Sequence, residues 1–292
     1  MRAEELSWTH RSIQSPILNP GYRLERERLP IVQEVDRYLR ETKGKYLPHQ
    51  LEFGGRLALN AARNALVGTD GGSNYGIGAS VMVVHNGIAA LFEGENTMVT
   101  GTEEERLTGH AETNGLKGVM AYASGNQSKG PIDIVKLDVL KLPFDMGRSG
   151  TGIIMSGTLE PCPMCECVAT NALAVTRGIL GPDAVIRSVS SSVDGSIEGA
   201  LNNGAAHALG QKATSSPNVW RSIQRGYFQG QNPPDFTPIQ FSLLQTTPDP
   251  LQGFNPPGMY HRTEDKDLER LSSEIFTQTR QQVDEFLATG KK

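Results

Sequence analysis

The sequence predicts an α/β protein built in layers around a mixed sheet, and three observations predict it. Ala79–Val84 and Ile88–Glu93 are apolar, strand-like runs either side of Asn86-Gly87, a dipeptide that tolerates positive φ and closes hairpins. Leu51–Val67 has helical periodicity, and its Leu57, Ala58, Ala61, Ala62 and Ala65 offer a small-residue face that can lie close to a sheet. Ile153–Ser156, Cys162–Ala174 and Thr176–Leu180 repeat the rhythm strand, helix, strand. The two strands are parallel if the helix crosses between them.

The remaining elements follow in chain order. Residues 1–27 lack periodicity and form an irregular arm. Pro30 suits the first turn of a helix, and Leu29, Val32, Val35, Tyr38 and Leu39 carry its apolar stripe to about Glu41. This helix is expected to pack on the core or on a partner subunit. Gly68–Gly78 is turn-rich, and His85 belongs to the hairpin turn as a surface residue. Gly94–Gly109 is a loop carrying Asn96 and the acidic run Glu103-Glu104-Glu105, which reads as a solvated surface. His110 opens a helix that runs to about Tyr122. Ile132–Leu140 alternates as a strand does, with a helix as the alternative, and Lys141–Gly152 is a loop.

Beyond Pro182, Arg187–Ser196 is serine-rich and Ile197–Leu209 suits a small-residue helix bearing His207. Trp220, Ile223, Tyr227 and Phe228 cluster in the next stretch, either as core anchors or as a cover for a flat ring. Ile239–Gln245 suits a strand. Asp267–Leu287 is an amphipathic helix with Leu268, Leu271, Ile275, Val283, Phe286 and Leu287 on one side. So many large apolar groups do not fit a disordered tail. The chain divides into an N-terminal arm and helix (1–50), a core (51–183) and a C-terminal extension packed on that core (184–292).

Composition narrows the function. A formal net charge of −4 gives no overall attraction to a phosphate backbone, which disfavours a nucleic-acid substrate. No apolar run approaches the roughly 20 residues that span a bilayer. Met1–Arg11 mixes acids and bases and does not read as a secretory signal, so the expected location is the cytoplasm. The three cysteines, Cys162, Cys165 and Cys167, sit within six residues. That clustering argues against a disulfide framework and fits thiolates kept reduced. Cys167 points away from the other two on a helix and reads as a small buried residue.

Two stretches carry the chemistry. His110-Ala111-Glu112 supplies an imidazole and a carboxylate at a helix start, and Pro161-Cys162-Pro163-Met164-Cys165 supplies two thiols one helical turn apart. One imidazole and two thiolates make three zinc ligands, His110, Cys162 and Cys165, and leave a fourth position for water. Zinc lowers the pKa of such a water towards about 7. Glu112 stands close enough to carry its proton without being a ligand. A C-x-x-C alone also suits a structural zinc or a redox pair. A structural site would want a fourth protein ligand, and no second C-x-x-C or H-x-x-x-H is present. A redox pair leaves His-Ala-Glu unexplained.

The pair of motifs resembles the H-x-E…P-C-x-x-C signature of zinc-dependent nucleobase deaminases. Thr158-Leu159-Glu160-Pro161-Cys162-Pro163-Met164-Cys165 is similar to the T-L-E-P-C-x-M-C stretch of the branch holding tRNA-adenosine and guanine deaminases, within the cytidine/deoxycytidylate deaminase superfamily. The resemblance covers roughly Leu51–Pro182. It implies a three-layer α/β/α cytidine deaminase-like fold with a mixed central sheet, here extended by an N-terminal helix and a C-terminal segment. It implies Zn²⁺ as cofactor, Glu112 as the catalytic residue, Asn96 and Ala111 as substrate-binding residues, and a homodimer. On residue type alone Asn96 suits either an amide that reads a base edge or a loop cap.

The expected reaction is hydrolytic deamination of a nucleobase, nucleoside or related heterocyclic small molecule, with water as co-substrate and ammonia released. Adenosine in tRNA is the alternative substrate. A zinc-stabilised scaffold without turnover is the alternative of another class, against which the intact Glu112 argues. The gap between the motifs is longer than in compact members by about a strand and a loop, and that insertion is expected to shape the mouth of the pocket.

Overall fold

Asn86 (φ 52°) and Gly87 (φ 72°) both adopt positive φ, so the chain reverses in two residues as the Asn-Gly pair demands. The turn joins β1 (Gly78–His85) to β2 (Ile88–Glu95) with His85 opposite Ile88 and Gly78 opposite Glu95. In the computed structural model the described residues are 26–68, 75–97, 109–123, 130–159, 165, 180–192 and 261–289. Within them lie α1 (Pro30–Glu41), α2 (Leu51–Gly68), α3 (Ala111–Ala123), β3 (Asp133–Lys136), β4 (Gly152–Gly157), β5 (Val185–Ser190), β6 (His261–Arg262) and α4 (Lys266–Thr289).

The sheet runs β3-β2-β1-β4-β5-β6. The pairs β3/β2, β2/β1 and β1/β4 are antiparallel, whereas β4/β5 and β5/β6 are parallel. Alternation along the strands sorts the core onto two faces. Val81, Phe92, Ile153, Met155 and Ile186 meet Leu116 and Val119 of α3 on one face. Met82, Val84, Leu91, Ile154 and Val189 meet Leu57 of α2 on the other. The protein is therefore an α/β fold with helices on both faces of a mixed sheet. The small-residue face of α2 does what its composition suggests: Ala58, Ala61, Ala62 and Ala65 are all buried, and the Ser80 hydroxyl donates to Gly54 O at 2.9 Å.

Among the described residues, α1 and α4 form a further layer outside α2. Ile31, Val32 and Val35 of α1, Leu59 and Leu66 of α2, and Leu268, Leu271 and Ile275 of α4 share one cluster. Polar contacts lock it. Arg63 makes two bonds to Asp36, at 3.0 and 3.1 Å. Asp265 caps α4 by accepting from the N–H groups of Asp267 and Leu268, and its other oxygen accepts from the hydroxyls of Tyr38 and Tyr46. Burial opposes the Asp265 charge, but the Tyr46, Leu268, Tyr38 and Asp267 donors outweigh it and hold the carboxyl below its usual range.

Three local expectations change. The strand expected over Ile132–Leu140 is only Asp133–Lys136, followed by a 3₁₀ turn at Val139–Lys141. Its partner explains the stop: Lys136 pairs with Ile88, the first residue of β2, and the next N–H, that of Leu137, bonds Gly87 O in the turn. Leu180, expected to end a strand, is helical, and the strand parallel to β4 is Val185–Ser190. Gly181 (φ 107°) and the turn at Pro182-Asp183 separate the two. Finally, the described part of the insertion lies at the hairpin end of the sheet. Leu137 and Met146 pack with Val84 and Ala89, and Arg187 Nε donates to Asp145 O. That end is opposite to the one where the motifs meet, so these residues do not shape the mouth of the site. Most of the N-terminal arm, the acidic run, the expected helix and strand over 197–209 and 239–245, and His207, Trp220, Tyr227 and Phe228 lie outside the described residues. Among the described residues no helix is long and apolar enough to cross a membrane.

Candidate metal centre

The site forms at the end of the sheet where β2 and β4 finish. Glu95 ends β2, and the chain continues through Asn96 and Thr97. It is next described at Gly109, whose carbonyl accepts from the Thr97 N–H at 2.9 Å. The next residue, His110, caps α3: its carbonyl accepts from the Asn114 N–H at 2.9 Å. The first turn of α3 rests directly on β2. A Cβ on Gly94 would stand 2.0 Å from Ala111 O and 2.4 Å from Gly115 N, so only glycine fits there.

This support brings His110 and Glu112 to Cys165, which is fully buried and helical. Cys165 Sγ lies 3.4 Å from His110 Nδ1, and the thiol donates to Glu112 Oε2 at 3.3 Å. All three donor atoms lie within 4.8 Å of one another. Ligand atoms around one tetrahedral zinc, at bond lengths of about 2.0–2.3 Å, stand roughly 3.5 Å apart. The two Cys165 separations suit such a site, and thiolate, imidazole and carboxylate are a donor set that can hold a metal ion, zinc among others. Glu112 is 5 % exposed and sits in the first helical turn, where the helix dipole favours its charge. His110, Glu112 and Cys165 can therefore hold a metal ion.

Of the residues singled out in the sequence, His110, Glu112 and Cys165 converge. Ala111 is fully buried against Gly94, and Asn96 is 5 % exposed with its N–H donating to Ile77 O. The Thr97–Gly109 bond places Asn96 and His110 on either side of one junction. Cys162 and Cys167 lie outside the described residues. Sequence reasoning missed two residues. A glycine inside a strand-like run, Gly94, marks close backbone approach. Asn114, a weak helix former in the first turn of a helix, marks a side chain with polar work to do. Comparison of the chain with protein-family models and with curated proteins finds no match.

The opposite face of the same strand end carries unusual carboxyls. Glu93 and Glu95 point at α2, where Asn60 Nδ2 donates to Glu93 at 3.4 Å. Burial lifts Glu93 to about 7, with the Asn60 bond opposing and the nearby Glu95 charge adding to the rise. Burial likewise lifts Glu95 to about 7 against a bond from Asn64. Both start from 4.5, so between these values the folded chain holds more protons than the unfolded one. The stability they contribute is present in full below about 4.5 and is lost as pH rises through about 7. The melting temperature of metal-free protein is expected to fall across that window, by an amount corresponding to a few kcal/mol at most. A Glu93→Gln/Glu95→Gln double variant should flatten the slope and melt higher than the parent at pH 8. An unchanged slope would remove these groups as its source.

Proposed function

We propose that the protein is a zinc-dependent hydrolytic deaminase acting on the amino group of a nucleobase, nucleoside or related heterocyclic small molecule. One observation carries this reading. The imidazole and carboxylate of His-Ala-Glu, 55 and 53 residues away in sequence, meet the second thiol of Pro-Cys-x-x-Cys beyond the carboxyl end of β2. Cys162, three residues before Cys165 in sequence, would complete the ligand set with His110. The bound ion would supply Lewis acidity that makes water nucleophilic at neutral pH.

The chain's own residues do the rest. Water adds to the amidine carbon, the C–N bond breaks, and ammonia leaves a ring carbonyl behind. Glu112 takes one proton from the water and gives it to the ring nitrogen, then takes the second from the added hydroxyl and gives it to the departing amine as the ring carbonyl forms. Its burial keeps bulk water from competing for that proton. The Asn96 amide can both donate and accept, which matches the edge of a heterocycle, and Ala111 lines the same junction.

The test is ammonia release by zinc-loaded protein from a panel of purines, pyrimidines and pterins, run beside an unmodified tRNA. A small heterocycle is expected to react with little response to salt. Reaction with tRNA alone, weakening steeply as salt rises, would replace the small-molecule reading. No ammonia from any member with zinc bound would leave a scaffold role.

A further inference from the structure

Asn114 stands four residues beyond His110, and its side chain joins two separate stretches of chain. Its Nδ2 donates to Glu95 O at 2.7 Å, to Thr97 Oγ1 at 3.0 Å and to Gly109 O at 3.2 Å. Glu95 and Thr97 flank Asn96, and Gly109 precedes His110. The amide thus grips the chain on both sides of one site residue and immediately before another. Its own backbone N–H holds His110 O, so the grip is anchored to the ligand residue itself. Buried Lys117, one turn further on, donates from Nζ to Asn114 Oδ1 at 2.9 Å. That contact fixes which end of the amide faces the carbonyls.

We infer that Asn114 is a positioning residue: it sets the spacing between the imidazole of His110 and the amide of Asn96. Three links make the junction: the Thr97–Gly109 backbone bond, the Thr97 hydroxyl donating to Gly109 O at 3.4 Å, and the Asn114 amide, which of the three is the one that also reaches Glu95. Two of the acceptors it serves, Glu95 O and Gly109 O, are backbone carbonyls, which need partners wherever they are shielded from water. Removing its N–H donors leaves them to separate. His110 then loses its fixed approach to Cys165, as a metal ligand does when the groups that orient it are removed. The inference rests on the metal reading of the site but not on the deaminase reaction.

Cobalt(II) titration tests it, because cobalt bound to thiolate and imidazole absorbs visible light and the readout needs no turnover. Asn114→Asp keeps the side-chain volume and the Lys117 contact but lacks the N–H donors. Its dissociation constant for cobalt is expected to rise about tenfold, with an altered absorption envelope. Asn114→Ala should weaken binding at least as much, and if it does not fold, Asn114→Asp carries the test alone. An Asn114→Asp protein with the parent's affinity and spectrum would overturn the inference while leaving the metal site standing. A parent protein that takes up no cobalt would remove the site itself.

Discussion

Replacing Glu112 with alanine is expected to lower ammonia release by about 10²–10⁴-fold while the protein still takes up one zinc ion per chain. The separation of the two readouts follows from the geometry. Glu112 Oε2 lies 3.3 Å from Cys165 Sγ, close enough to be either a ligand or a neighbour of the ion. A carboxylate that only carries protons leaves three ligands when removed, the imidazole of His110 and the thiolates of Cys162 and Cys165. A carboxylate that holds the ion does not, and zinc content would fall with activity. Glu112→Gln sharpens the distinction, since it keeps shape and hydrogen bonding but has no basic oxygen pair. It should bind zinc as the parent does and remain as inactive as the alanine variant. Undiminished turnover in either variant would contradict the proton-carrying role.

The legible part of the fold was the part set by local chemistry. The helix opened by Pro30, the Asn86-Gly87 turn and the small-residue face of α2 each follow from side chains within one element. The convergence of His110, Glu112 and Cys165 was legible too, because metal ligation narrows the residue types and spacings that serve. What was not legible depended on partners distant in sequence. The stop after Lys136 is decided by where β2 begins, and the parallel strand at Val185–Ser190 is decided by the edge that β4 leaves open. The insertion packs at the hairpin end because Leu137 and Met146 find apolar partners there. Nothing in residues 130–151 alone says which end of the sheet they will cover. Gly94 belongs to the same class, since its importance comes from a helix that starts seventeen residues later.

At that glycine one added methyl group presses directly on the helix that carries the site. In Gly94→Ala the added carbon would stand 2.0 Å from Ala111 O, 2.4 Å from Gly115 N and 3.0 Å from Gly115 Cα. Every one of these atoms is α3 backbone, so no flexible side chain can swing aside. Relief requires the first turn of α3 to lift by about 1 Å, and overpacking of this kind costs about 1–3 kcal/mol. The lift falls on the turn that carries His110 and Glu112, while Cys165 stays on its own helix. A displacement of about 1 Å at a reacting centre can cost about 100-fold, and zinc affinity and ammonia release are both expected to fall by at least that factor. Gly68→Ala is the matched control, since a Cβ there meets nothing within 4 Å. Gly115→Ala is intermediate, because its nearest neighbour is the movable Val81 side chain at 2.8 Å. The ranking Gly94, then Gly115, then Gly68 should hold for melting temperature and for metal affinity alike. A Gly94→Ala protein that matched Gly68→Ala in both would mean that the strand does not set the position of the ligand helix.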